Sequence, residues 1–522
     1  MNQSASSELT VAIGSDRKVE KRWVAMILST RRLMISVFML LIFILAARAI
    51  VDPDFWWHLK AGQYILKTGT IPRVDIFSHG HFGKEWVAHE WLSEVLISWI
   101  YDVLGFRGLV VTFSIIVTAT LWIVYKRISR AVSHPLILGF ALLLGALASA
   151  PTWGVRPQMF SFLFAATALF LLESYAQDTR SWKILWLVPL MVLWVNMHAG
   201  FGIMLVFILL MSLGLFLEGI LDTERKWKTI WQDLFPLGTV WLFCLLAVMV
   251  NPNGPRMYSY PFETLTSPAM MKYIAEWRTP DFQQPMFQPL ALLLFAVSCS
   301  MALSGRRVRV RDLLFLTATG WGTLRSARNV PFFVLIAVPL LAEHSWYWIS
   351  SQPWAQWLNA PEQREVGAKA SLKVALNILL LLAIPVMLVV QRVNRSVASQ
   401  SAVTEQVFPV AAAEHMLSHK LPQPIYNEYG WGGYLIWRLY PQYRVHIDGR
   451  ADLYGDAFLE QFLKTHAGEA NWQQSLNEHN IKTVVIRSDA PLANLLRSKP
   501  EWKTIFQDSQ AVIFIRNQPT AY

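Results

Sequence analysis

Val51-Asp-Pro-Asp-Phe-Trp-Trp-His58 follows Leu33 to Ile50, the first apolar stretch long enough to cross a bilayer. A second polar and aromatic run, Glu85-Trp-Val-Ala-His-Glu-Trp91, lies near the close of the same loop. Carboxylates and imidazoles are costly to hold where a chain leaves hydrocarbon, so their placement there marks them as candidates for chemistry at a membrane surface.

On both sides of this loop the chain is membrane-like. Of its 522 residues, 54% are hydrophobic and only 16% are charged, too few charges for a soluble protein of this length. The net charge of +11 does not point to nucleic acid. Lys and Arg cluster in short loops between apolar runs, and the sequence has neither zinc-finger spacing nor a basic recognition helix. Apolar runs fall at 33–51, 107–125, 135–151, 158–174, 183–198, 201–220, 234–250, 286–304, 312–325, 329–345 and 372–391, about eleven spans of roughly 20 residues. The first run is too long for a signal-peptide core and lacks a small-residue cleavage site, so it reads as a retained span.

Alternate loops are basic: Arg17 to Arg32, Lys126 to Arg130, Arg180 to Lys183, Arg225 to Lys228 and Arg306 to Arg311. The positive-inside rule places these in the cytoplasm and places 52–106, 251–285 and the residues after 391 on the outer face. The expected domains are a cytoplasmic tail (1–32), a transmembrane domain (33–391) and an outer-face α/β domain (392–522). Cys244 and Cys299 lie inside apolar runs without metal-type spacing and read as small buried hydrophobes.

Within loop 52–106, Asp54 to Leu66 and Glu90 to Leu104 pattern as amphipathic, Trp-rich helices, which either lie flat in a membrane interface or pack on the bundle. The tail has soluble composition. It patterns as helix 407–418, strand 424–427, helix 432–439, strand 444–447, helices 455–466 and 470–479, strand 482–486, helix 490–498 and hairpin strands 502–507 and 511–516, an alternation typical of a small α/β domain.

Asp52, Asp54 and Glu90 are the candidate catalytic acids. A carboxylate there would deprotonate an acceptor hydroxyl, or help hold a divalent cation, magnesium or manganese, against a lipid phosphate. Asp52 and Asp54 are the candidate metal ligands, and Asp-Pro-Asp would equally serve as turn and helix cap. His58 and His89 are candidate substrate contacts; no second His follows His89 at i+4, as a zinc-protease helix would need. Arg156, Arg325 and Arg328 lie at outer mouths between spans, where guanidinium groups suit a phosphate or pair with carboxylates. Asn196 and His198 interrupt an apolar stretch and must face the bundle or a wet cavity. In the tail, Glu428, Asp448, Arg450 and Asp452 would line a glycan site or form a buried ion-pair network.

Asp52-Pro-Asp-Phe-Trp-Trp-His-Leu59, the Trp86 to Trp91 segment, the Asn196 to Phe201 turn, and Trp431-Gly-Gly-Tyr-Leu-Ile-Trp437 with Ile447-Asp-Gly-Arg450 resemble bacterial members of the GT-C superfamily. That superfamily includes protein mannosyltransferases, oligosaccharyltransferases and lipid A sugar transferases. The resemblance implies a mainly α polytopic bundle in the bacterial inner membrane with its tail in the periplasm. It implies a polyprenyl-phosphate or polyprenyl-diphosphate sugar donor and a glycan, lipid or protein acceptor in the cell envelope. The role of base or metal-linked positioning group then falls on Asp52 or Asp54, with Asp54 favoured and Glu90 as second acid, and the arginines bind lipid phosphate. The Pro between the two aspartates departs from the family pattern and leaves open which of them faces the acceptor. Two other functions compete. A polymerase or ligase of lipid-linked glycan needs a large late outer loop, and here 326–328 is tiny. A flippase predicts internal repeats and polar groups at mid-membrane depth; the sequence has no repeat and few mid-span charges.

Overall fold

Among the described residues, seven helices are long and apolar enough to cross a membrane: Trp91–Ile128, Pro135–Thr152, Gln158–Gln177, Ala199–Leu221, Trp227–Ala247, Pro285–Leu303 and Ala327–Ser350. The computed structural model describes residues 30–355, 376–377, 379–380 and 384–517. Three further expected spans form shorter helices, Thr30–Ala46, Trp182–Met197 and Val310–Arg325. The last is shortened by the polar residues at its ends. Most of 1–32 and much of 372–391 lie outside the described residues, and Ile384–Ala398 is helical. Seven qualifying helices do not establish the expected count of eleven. Leu209, Leu242, Phe243 and Phe295 point outward from the bundle, as lipid-facing residues must. Cys244 is buried as expected, but Cys299 is exposed on the outside of its helix.

The first loop is packed between the bundle and the tail. Helix Asp54–Thr68 buries Phe55, Trp56, Trp57, His58, Leu59, Ala61 and Ile65. One side meets the start of helix Trp91–Ile128 and the other meets helix Gly432–Leu439. Of the two readings it takes the packed one: Trp56 contacts Phe106, Phe408, Tyr434 and Trp437 edge-on or tilted, a protein core rather than a lipid surface. The second expected interfacial helix runs on into a span, with one break at Gly105 (φ 60°, ψ −157°), a conformation open to glycine and strained for other residues.

The tail is a helix-flanked sheet of four strands, β1 (Ile425–Asn427), β2 (Thr483–Arg487), β3 (Trp502–Gln507) and β4 (Ala511–Arg516), in the order β1-β2-β4-β3. β1 and β2 are parallel, and the remaining pairs are antiparallel. The expected strand 444–447 is not part of this sheet. Val445 instead forms a bridge with Ser78 of the first loop: its N–H donates to Phe77 O, and its carbonyl accepts from His79 N–H, both at 3.0 Å.

Candidate active site

A cavity of about 1310 Å³ opens where the first loop, the spans and the tail meet. Asp52, Asp54, Glu90, Arg156, Glu276 and Arg328 line its polar part, while Val110, Phe113, Val117, Leu205, Val206 and Phe332 give it an apolar wall.

The two first-loop aspartates have separate tasks. Asp52 Oδ1 accepts the Asp54 N–H at 2.9 Å, so Asp52, rather than Asp54, ties down the start of the helix. Asp54 is the first helical residue, and its Oδ1 accepts from Trp57 Nε1 at 3.3 Å. Arg156 grips both: Nε lies 3.0 Å from Asp52 Oδ2 and Nη2 2.9 Å from Asp54 Oδ2. Its third nitrogen, Nη1, pairs with Glu276. Burial in the cavity pushes the Asp54 carboxyl up to about 7; Arg156 opposes this, and Asp52 and Glu276 add to it.

The second acid sits in a ring of imidazoles. Glu90 Oε1 lies 3.2 Å from His89 Nε2 and 3.4 Å from His198 Nε2, and Oε2 lies 3.5 Å from His58 Nε2. Burial works to raise the Glu90 carboxyl, but His89, His198 and His58 hold it below the usual range. Burial pushes His58 down to about 3 against the pull of Glu90. His89 is raised: burial opposes its charge, but the Glu90 carboxylate outweighs burial. Glu90 and His89 therefore each favour the charged form of the other. His198 is oriented from behind. Its Nδ1 accepts from Gly200 N–H at 2.9 Å and lies 2.7 Å from Ser161 Oγ, so that Nε2 faces both Glu90 and Arg328.

The other sequence candidates divide clearly. Arg328 lines the cavity, lies over the Trp277 ring at 5.1 Å and meets His198 Nε2 at 3.3 Å. Among the described residues it has no carboxylate within ion-pair distance. Arg325 is exposed and away from the cavity, near Met271 Sδ. Asn196 is structural: it accepts from Trp91 Nε1 at 2.8 Å and donates to the Val192 and Val250 carbonyls. Glu428 is held inside the tail by His466 and the Arg487 N–H.

Asp448 and Arg450 form a buried ion-pair network, and Arg450 also borders the cavity. Arg450 Nη2 lies 2.7 Å from Asp448 Oδ2, and Nη1 lies 2.9 Å from Asp75 Oδ1 of the first loop. The guanidinium is sandwiched between Phe77 and Trp86, 5.3 and 4.6 Å from their centroids. Asp452 does reach the cavity, where its Oδ2 accepts from Tyr260 Oη at 2.8 Å. The glycines of the tail motifs allow this docking. A Cβ on Gly449 would lie 1.8 Å from Asp54 Oδ1, and one on Gly433 would lie 2.5 Å from the Pro53 carbonyl. Gly449→Ala is expected to displace the tail at a cost of about 1–3 kcal/mol, read as faster proteolysis of the tail and reduced function.

Sequence reasoning missed Glu276 and Asp75. A signal for Glu276 existed. An arginine at an outer mouth needs carboxylate partners, and loop 251–285 offers only Glu263, Glu276 and Asp281. Asp75 carries no comparable signal.

Among the described residues no group of three or more His, Cys, Asp or Glu side chains is arranged to hold a metal ion. The oxygens of Asp52 and Asp54 instead close on the Arg156 guanidinium.

The oligosaccharyltransferase AglB from Archaeoglobus fulgidus, solved with an inhibitory peptide and a dolichol-phosphate, shares this architecture. The TM-score is 0.55 at 11% identity, over 96% of this chain and 75% of that one. The chain has the fold of that oligosaccharyltransferase. At this identity the likeness is one of fold alone. ArnT from Cupriavidus metallidurans in the apo state aligns with TM-score 0.48 at 14% identity, over 95% of this chain and 98% of that one. No protein-family model and no curated protein matches the sequence.

Proposed function

We propose that this chain is a glycosyltransferase. It moves a sugar from a polyprenyl-phosphate or polyprenyl-diphosphate donor to a cell-envelope acceptor at the outer face of a bacterial inner membrane, the N-terminus being cytoplasmic. The observation that carries the reading is the cavity itself. An apolar wall drawn from the spans runs into a polar end that holds both a carboxylate able to take a proton and an arginine, Arg328, which among the described residues has no carboxylate within ion-pair distance. A lipid-linked donor needs all three: a groove for its chain, a cation for its phosphate and a base for the acceptor.

In the proposed reaction the acceptor hydroxyl oxygen bonds to the anomeric carbon. Its proton passes to the Asp54 carboxylate. The bond from the anomeric carbon to the phosphate oxygen breaks, and the lipid phosphate leaves with the electron pair. Arg328 offsets the negative charge of that leaving group. His58, His89 and His198 hold Glu90 in place beside it, and Asp452 with Tyr260 borders the acceptor side.

A base must be unprotonated to act. With Asp54 pushed up to about 7, the rate is expected to rise with pH through about 7 and then level. Below that it falls about tenfold per pH unit. A pH profile of kcat in reconstituted protein checks this; a rate flat from acid to neutral contradicts Asp54 as the base. Arg328→Gln is expected to raise KM for the donor by about tenfold to a hundredfold, as loss of a charged hydrogen bond does, with a smaller change in kcat. The direct test is transfer from a panel of labelled polyprenyl-phosphate sugars in liposomes, wild type against Asp54→Asn and Asp52→Asn.

A further inference from the structure

We propose that Arg156 takes the place of a divalent cation between the first-loop carboxylates, so that the acidic cluster works with a positive charge built into the chain. The inference deepens the transferase reading above and rests on it for its catalytic meaning. Hard cations take oxygen donors, carboxylates above all, and here three carboxylates from separate segments gather around a guanidinium instead. Asp52 and Asp54 come from the first loop and Glu276 from loop 251–285, and each faces a different nitrogen of Arg156. The planar guanidinium lies between the three carboxylates, so an ion could meet them together only by displacing it.

The segment that delivers Arg156 is itself anchored. The Arg48 Nη2 donates to the Ala150 carbonyl at 2.9 Å, and the Arg156 carbonyl accepts the Met159 N–H at 3.1 Å. The Arg156 side chain is only 14% exposed. A guanidinium does not lose its proton in a protein and grips two carboxylates in fixed geometry. Arg156 is thus a positioning residue: it fixes the direction of Asp54 and supplies the positive charge that a bound ion would otherwise bring.

The test is manganese binding to the full-length protein in detergent, read by the loss of the free-ion paramagnetic resonance signal, alongside transfer with and without a chelator. Wild type is expected to bind no manganese at this cluster and to keep its activity in chelator. Arg156→Gln, which removes the charge and shortens the side chain, is expected to gain a site at least ~10-fold tighter than any in wild type, because affinity follows ligand charge. That site should vanish when Asp54→Asn is added. Arg156→Lys keeps the charge and is expected to gain no site. Wild-type binding that Asp54→Asn abolishes overturns the inference, as does an Arg156→Gln protein that elutes and melts like wild type yet gains no site. If Arg156→Gln does not fold, wild type decides alone: manganese binding lost with Asp54→Asn overturns the inference, and no binding with chelator-insensitive transfer supports it. Failure of the function reading is distinguishable, since absence of transfer from every donor leaves the manganese result standing.

Discussion

Asp54→Asn is expected to reduce sugar transfer by at least ~100-fold, the usual scale for loss of a general base, while the protein elutes and melts as wild type does. Asparagine keeps the size of the side chain and an oxygen for Trp57 Nε1, and the helix start stays tied by Asp52. The variant therefore separates chemistry from folding. Asp52→Asn is expected to cost less, because its oxygen still accepts the Asp54 N–H and only its ion pair with Arg156 weakens. Single-turnover rates with a saturating donor check both. The order of the two effects matters more than either size: a larger loss in Asp52→Asn moves the role of base to the neighbouring carboxylate.

The largest effect on stability is expected at Arg450. Its charge is 2% exposed and holds Asp448 and Asp75, both fully buried. Arg450→Met fills much of the same volume but strands two carboxylates without a partner. Breaking a buried pair in this way costs about 3–5 kcal/mol, and here the loss falls on the joint between tail and first loop. A lowered melting temperature and rapid proteolysis of the tail are the readouts. Adding Asp75→Asn and Asp448→Asn is expected to return part of the loss, since no unpaired charge then remains buried. The joint is also acid-sensitive. Burial opposes ionisation of Asp448, but Arg450 and Tyr454 hold its carboxyl below the ordinary range. A group depressed on folding stabilises above its unfolded value and loses that contribution as pH falls through the folded one. Docking is therefore expected to weaken only below about pH 4, the ordinary aspartate value.

Much of the fold was legible because it is written in local periodicity. The hairpin strands 502–507 and 511–516 were readable from alternation, and the apolar runs from length alone. The first-loop acid was readable because a carboxylate at the end of a span is out of place. What stayed hidden depends on long-range partners or on rotation about the chain. Val445 pairs with Ser78, far away in sequence, so strand 444–447 could not be told from a sheet strand. Asn196 and His198 are two residues apart, yet one is consumed by backbone carbonyls and the other faces the cavity. Arg325 and Arg328 likewise part company within one turn. Glu276 stands 120 positions from Arg156, and only the folded chain brings them together.

The central claim is that the cavity transfers sugar from a lipid phosphate. The most direct measurement is release of labelled sugar from a panel of polyprenyl-phosphate donors by wild type in liposomes, with lipid scrambling followed in the same vesicles. The account predicts donor-dependent transfer that Asp54→Asn abolishes. Scrambling without transfer from any donor contradicts it and makes the chain a carrier of lipids rather than an enzyme.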